Sequence, residues 1–400
     1  MRVLHIGKFF PPVTGGIENF LGDLLPALKR AGITAAGLVH DVPCAGSGEP
    51  PQDNDLDIYR APCYGTLLYA PVSPMFPHIM RQTIHAFNPD ILHFHVPNTS
   101  AFWALALPAA RRLPWVVHWH ADVVPSVIDR RMAVAYRLYR PLEALLLRRA
   151  QAVIATSAAY TATSSALSFC RDKCHVVPLG LDSNRLKPPD ADAERWADAQ
   201  WGKSGARILV IGRLTYYKGH DVMLEAAAAL PNVRILIVGD GDRESFLDRR
   251  IREMGLENRV SLLKAMPEPS LHALLASCDC LCLPSVERTE AFGLVLLEAM
   301  RYAKPVVASD IPGSGIGWVV KDGVTGFLTR PGDPMSLANA VQRVFKDAQA
   351  RWRMGKKAQE RFFEVFQVDH IAQDVILVYH HVMKSSPRYA IFPHADMLHE

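Results

Sequence analysis

Four hundred residues suffice for two α/β domains, each with its own core, and 49% hydrophobic with 21% charged residues is the balance of a soluble globular protein. A net charge of +4, all of it carried by residues 1–185, excludes a dedicated nucleic-acid binder. No apolar run reaches the roughly eighteen residues of a membrane span, and the apolar part of Met1 to Gly7 is too short for a signal peptide.

In chain order, Val3 to Ile6 predicts a short buried strand, then a loop through Pro11, Pro12, Gly15 and Gly16, then a helix from near Ile17 to Arg30. Adjacent glycines allow positive φ or close approach to a ligand, and the helix N-terminus behind them favours phosphate. The spacing is not that of a Rossmann G-x-G-x-x-G, so NAD is not indicated. Proline, glycine and aspartate between Cys44 and Pro77 predict irregular loops, with a mobile rim around Tyr59 to Tyr69. Pro89 to His95 and Trp115 to His120 read as core strands whose ends carry four histidines, where ligands gather in parallel sheets. His120, last in its strand with Asp122 nearby, is the candidate for substrate contact. Asp129 to Arg149 predicts a helix bearing Arg130, Arg137, Arg140 and Arg148 beside Met132, Tyr136, Tyr139, Leu142, Leu145 and Leu146. It is either a helix packed on the sheet with a solvated rim or a basic surface for anionic lipid headgroups.

Lys187 to Asp190 read as the start of a linker, and a second α/β series opens at Arg207 to Ile211. Gly212, Arg213, Lys218 and Gly219 follow, two cations at a strand-to-helix turn that form a candidate diphosphate site. Val233 to Val238 opens into Gly239, Asp240 and Gly241, and further strands near 260, 280, 305 and 326 alternate with helices, implying a covered parallel sheet. Glu290 lies in a loop and Glu298 in the helix that begins near Leu294. In one continuous helix they would be roughly 12 Å apart and about 80° out of phase. With Glu290 in the loop, both can face one ligand, while the amides of Phe292, Gly293 and Leu294 suit an anion or sugar hydroxyls. The seven cysteines, three of them alternating at Cys278, Cys280 and Cys282, read as small buried hydrophobes in a reducing compartment, so a cytoplasmic protein is expected. Cys170 and Cys174 find no second pair at a suitable spacing, and no metal is expected.

Together these motifs, Pro11-Pro12 with Gly15, Gly16 and Glu18, the histidine after Trp119, Gly212 to Gly219, Gly239 to Gly241, and Glu290 with Glu298, resemble glycosyltransferase family 4. These are retaining transferases of the GT-B fold, and the resemblance runs from residue 1 to about 370. It implies two Rossmann-like domains facing a cleft: residues 1–185, a linker over 186–205, a nucleotide-sugar domain over 206–370, and a final helix and tail over 371–400 crossing back to the first domain. It implies Arg213 and Lys218 on the diphosphate, Glu298 on the ribose, and Glu290 with the amides of Phe292, Gly293 and Leu294 on the donor sugar. Gly239 belongs to the family's glycine loop, Gly15 and Gly16 approach donor and acceptor, and His120 meets the sugar near the reacting carbon. No cofactor or metal is implied; the partners are a nucleotide sugar and a glycan or lipid-linked acceptor, with the anionic inner face of the cytoplasmic membrane as a further surface.

Within the family, His118 to Asp122 and Asp310 to Gly315 look similar to bacterial mannosyltransferases of polysaccharide synthesis, which points to mannose from GDP-mannose, with a UDP-sugar as the alternative. Lys264 and Ala303 stand where the family often has glycine. The rivals are a metal-dependent transferase using one of the Asp-x-Asp pairs (Asp53, Asp55, Asp57; Asp190, Asp192; Asp240, Asp242), a nucleotide-sugar epimerase, and a non-catalytic sugar-binding module.

Overall fold

The computed structural model describes residues 1–41, 56–67, 70–123, 130–202 and 205–384, without the side chains of 130–134. Asp53, Asp55, Tyr69, the side chains of Arg130 and Met132, and the tail beyond Lys384 lie outside these residues. The chain divides into two compact units, one of Met1–Pro178 with the chain from Val368 onward, the other of Leu179–Gln367.

In the first unit seven strands form one parallel sheet: β1 (Arg2–Ile6), β2 (Thr34–Asp41), β3 (Asp57–Pro62), β6 (Ile91–Val96), β7 (Trp115–Trp119), β8 (Ala152–Ala155) and β9 (Cys174–Val176). Two short strands, β4 (Thr66–Leu67) and β5 (Ala70–Pro71), pair antiparallel beside it. The sheet order is β3-β2-β1-β6-β7-β8-β9, so the order reverses between β1 and β6, where crossover connections leave a crevice at the strand ends. Tyr59, expected in a mobile rim, instead sits in the edge strand β3 opposite Leu38, because Ile58 to Ala61 supply enough apolar side chains to pair with β2.

Helix Gly16–Arg30 and helix Val368–Lys384 pack together on this sheet. An exposed ion pair, Arg30 to Asp369 at 2.7 Å, links them, but such pairs contribute about 1 kcal/mol or less. The docking comes from Val368, Ile371, Ala372, Val375, Val378 and Val382, all buried, each worth about 1–3 kcal/mol in apolar area removed from water.

The second unit holds β10 (Ala206–Ile211), β11 (Val233–Val238), β12 (Val260–Leu263), β13 (Cys280–Leu283), β14 (Val306–Ser309) and β15 (Gly326–Thr329), all parallel, in the order β12-β11-β10-β13-β14-β15. Its switch point lies between β10 and β13. Within the expected linker over 186–205, the described residues 186–202 are not a linker. Asp190 caps helix Ala191–Trp201, and Trp201 is buried with its indole N–H donating to Ser277 at 2.9 Å. The prolines Pro188 and Pro189 thus mark a turn into a packed helix within this unit, and the boundary lies earlier, after Pro178.

Ala303 takes a left-handed conformation, φ 56°, where glycine is favoured and an L side chain costs about 1 kcal/mol. Ala303→Gly is therefore expected to stabilise the second unit by up to about 1 kcal/mol, less the backbone entropy glycine adds to the unfolded chain. A lowered urea midpoint would contradict this.

Candidate active site

In the second unit the loops after β10 and β13 meet at the switch point. Gly212 follows β10, and the amide of Leu214 donates to the carbonyl of Asp240 in the loop after β11. A Cβ on Gly239 would lie 2.1 Å from the Gly212 carbonyl oxygen, so the two glycine loops touch through bare backbone. After a single turn at Tyr216–Lys218, Gly219 takes φ 66° with the Pro284 carbonyl oxygen 2.0 Å from where a Cβ would be. That contact fixes the β10 loop against the β13 loop and delivers Lys218 to Glu290.

Lys218 Nζ donates to Glu290 Oε2 at 2.6 Å, with side chains only 14% and 11% exposed. The Ser285 hydroxyl donates to the same oxygen at 3.1 Å. Burial pulls the Lys218 ammonium down, but the charges of Glu290 and Tyr217 and the hydrogen bond outweigh it, so its pKa lies above the ordinary lysine value; Arg213 works against them. Arg213 itself is exposed. The Glu290 backbone is held from β14: the Ser314 hydroxyl donates to the Glu290 carbonyl at 2.6 Å, and the Gly315 amide to that of Ala291 at 2.7 Å. Glu290 is thus in a loop braced on two sides, as its place before the helix requires.

Helix Leu294–Arg301 begins at Gly293, whose φ of 79° and tight contact with Leu283 and Leu296 leave no room for a side chain. Phe292, Gly293 and Leu294 therefore lie at the helix N-terminus directly after Glu290. Glu298 lies further along it, 3.9 Å from Arg185, which also meets Glu268 at 2.8 Å. Arg185 and Ser285 escaped the sequence reading, since neither belongs to a recognisable local motif, and Ser314, inside the Asp310 to Gly315 stretch, was given no role there. Lys264 is exposed and pairs with Glu244.

Gly15, Gly16 and His120 belong to the first unit. Gly15 caps helix Gly16–Arg30 with φ 176°, extended backbone, so of the two expected uses of the glycines the positive φ is absent at this position, and its carbonyl accepts the first helical bond from Asn19. Phe20, on the next turn, sets its ring edge-on to His118 and His120 at 5.1 and 5.6 Å. His120 is buried, and its nitrogen partner is His95, at 3.0 Å. Asp122, expected to serve His120, instead accepts from Trp119 Nε1 at 2.9 Å and from the Ser164 hydroxyl at 2.7 Å. Nearby Glu143 is buried, and burial, then the charge of Asp122, push its carboxyl up to about 7 against the opposing charge of Arg140.

His5, His93, His95, His118 and His120 share one face of β1, β6 and β7, because His5 is in register with His93 and His95 with His118. Two trios, His5, His93, His95 and His95, His118, His120, have nitrogens within 4.8 Å of one another. Their rings stack, His118 on His120 at 2° and His93 on His118 at 6°. Within the trios, His95 Nδ1 faces His120 Nε2 and His5 Nδ1 faces His95 Nε2, each pair at 3.0 Å.

Two family descriptions match the chain: "Glycosyl transferases group 1" over residues 195–361 and "Glycosyl transferase 4-like domain" over residues 15–180. The chain is 29% identical over 388 residues to O-antigen chain mannosyltransferase C of Escherichia coli, covering 96% of this chain and 100% of that protein. It is 29% identical to the D-rhamnosyltransferase WbpZ of Pseudomonas aeruginosa, covering 92% of each. Among solved structures, HepE of Anabaena in complex with UDP and glucose aligns with TM-score 0.75 at 26% identity over 95% of this chain and 100% of that one. A sucrose-phosphate synthase of Thermosynechococcus elongatus aligns with TM-score 0.79 at 22% identity over 96% and 100%, a likeness of fold. With two parallel-sheet α/β units and matching descriptions for each, the chain belongs to the family 4 type of group 1 glycosyltransferases, enzymes of the GT-B fold.

Proposed function

We propose that this enzyme moves mannose from GDP-mannose, with retention, onto a glycan or lipid-linked acceptor in cell-surface polysaccharide synthesis. The observation that carries the reading is the buried Lys218 and Glu290 pair at the mouth of helix Leu294–Arg301, in a chain similar over nearly its whole length to an O-antigen mannosyltransferase. Lys218 and Arg213 meet the diphosphate, Glu290 and the amides of Phe292 to Leu294 the sugar, and Glu298 the ribose. The largest demand is to stabilise charge on the departing β-phosphate, which fixed cations and helix amides meet without a metal. The acceptor attacks from the face the phosphate leaves, and a phosphate oxygen takes its proton. A thermal-shift panel of GDP-, UDP- and ADP-sugars tests the donor, since a ligand of the folded state alone raises stability as ln(1 + [L]/Kd). GDP-mannose should give the largest shift and turn over in EDTA with acceptor present; loss of turnover on chelation would overturn the metal-free mechanism. A UDP-sugar is the second reading, supported by likeness to HepE, solved with UDP and glucose.

The acceptor side of this proposal rests on helix Arg130–Arg149. Arg137, Leu138, Arg140, Pro141, Leu142, Leu145 and Arg148 are all exposed, Leu138 by 76%. Leu142 and Leu145 are therefore not part of the packed face. No helix among the described residues is long and apolar enough to cross a membrane. Such a face suits an anionic lipid surface, each arginine contributing about 1 kcal/mol. Full-length protein should co-sediment with anionic but not neutral vesicles, less so at high salt, and Arg137→Glu/Arg148→Glu should abolish it. Equal pelleting on both vesicle types would favour a soluble acceptor.

A further inference from the structure

Among the described residues, four of the six buried histidines and one tyrosine of the first unit form an unbroken hydrogen-bonded line. His120 Nε2 meets His95 Nδ1 at 3.0 Å, and His95 Nε2 meets His5 Nδ1 at 3.0 Å. His5 Nε2 then lies 3.3 Å from the Tyr379 hydroxyl, which lies 2.6 Å from His93 Nδ1. All five side chains are buried, and the two ends, His120 Nδ1 and His93 Nε2, have no partner. Tyr379 arrives on helix Val368–Lys384, far away in sequence.

A neutral imidazole has one N–H and one bare nitrogen. In such a line the direction of one bond therefore dictates every tautomer. Burial, joined at His5, His93 and His120 by the charges of neighbouring imidazoles, holds these histidines well below the ordinary value, His95 at about 3 through burial alone, so at neutral pH all are uncharged. Tyr379 sets the direction. Hydroxyl donors make short bonds and N–H donors longer ones. At 2.6 Å the hydroxyl donates to His93 Nδ1; at 3.3 Å it accepts from His5 Nε2–H. His5 Nδ1 is then bare and accepts from His95 Nε2–H, and His95 Nδ1 is bare and accepts from His120 Nε2–H. The line leaves His120 with a bare Nδ1.

We propose that Tyr379, acting through His5 and His95, is a positioning residue that locks His120 in the Nε2–H tautomer, so that its Nδ1 can only accept a hydrogen bond and selects a substrate hydroxyl. The role at substrate rests on the reading that His120 meets the sugar; the tautomer does not.

Long-range proton–nitrogen spectra of the full chain with labelled histidine, read at neutral pH and assigned with His120→Ala, test it. The parent should show His120 protonated on Nε2 only. Tyr379→Phe keeps the ring and its packing but removes the hydroxyl, so both tautomers of His120 should appear, and kcat should fall about tenfold, the worth of one hydrogen bond, with donor KM unchanged. His120 protonated on Nδ1 in the parent would overturn the proposal, and that spectrum decides even if the variant fails to fold. So would an unaltered tautomer in Tyr379→Phe, or stoichiometric zinc in the purified protein, since a metal needs these nitrogens bare. A protein that transfers no sugar from any nucleotide would sink the proposed function while the spectra still decided the tautomer.

Discussion

Acidification from pH 6.5 to pH 5 is expected to unfold the first unit while the second stays folded. His5, His93, His95, His118 and His120 are buried without charge, and burial, with mutual repulsion at all but His95, holds each pKa far below 6.5, His95 at about 3. Above pH 6.5 they are neutral folded or unfolded and contribute no pH dependence. Below it the unfolded chain takes up protons that the folded one refuses, so stability falls as pH falls, by about 1.4 kcal/mol per pH unit for each group. Five groups together lose about 7 kcal/mol per unit, comparable to the whole stability of an ordinary domain, about 5–15 kcal/mol. His40, lowered to about 4 chiefly by burial, adds to the same loss, as does His175, lowered by burial and then by the charge of His381. Glu143, raised to about 7, works the other way between about 7 and 4.5, one group against seven among the described residues. In the second unit only His220, lowered to about 3, and His272, lowered less deeply, act in this sense among the described residues. Calorimetry across this range should show two transitions, the first collapsing. Two transitions moving in parallel would refute the account.

Lys218→Ala is the second large effect, and it should appear twice. Removing the ammonium leaves the Glu290 carboxylate buried with, among the described residues, only the Ser285 hydroxyl for a partner, a loss of about 3–5 kcal/mol of stability in the second unit. Donor affinity should fall separately by about 1.5–3 kcal/mol as a charge-assisted phosphate contact disappears. The double variant Lys218→Ala/Glu290→Ala distinguishes the two. It removes the stranded carboxylate, so urea denaturation should show it more stable than the single variant, while titration with donor shows binding still weak. A double variant as unstable as the single one would mean that the pair is not what holds this site together.

Much of this was legible in the chain. Alternating apolar strands and helices gave the two parallel sheets, and Glu290 ahead of a helix starting at Leu294 could be placed because Pro284 and Gly293 punctuate the run on either side. The failures share a cause. Pro188 and Pro189 look like a linker, yet what decides is Trp201 burying its ring against a helix over seventy residues away. Asp122 lies two residues from His120 but turns to Trp119 and Ser164, while His95, on the neighbouring strand, takes its place. His93, His95, His118 and His120 were read as lying at two strand ends, and the strand register puts them on one sheet face. Nothing local announced Tyr379. Side chains meeting across strands and from a distant helix leave no spacing to read.

The pairing of Lys218 with Glu290 bears on how turnover ends. In the free protein each charge already answers the other, so on the proposed reading an arriving donor would part them, offering phosphate to one and sugar hydroxyls to the other. A nucleoside diphosphate left after transfer offers only the first half of that exchange. It would hold Lys218 at the expense of stranding Glu290, and the ion pair, by re-forming, competes directly with the spent nucleotide for its place. Product inhibition should then be weak relative to donor affinity, and the enzyme would clear its own site between successive sugars.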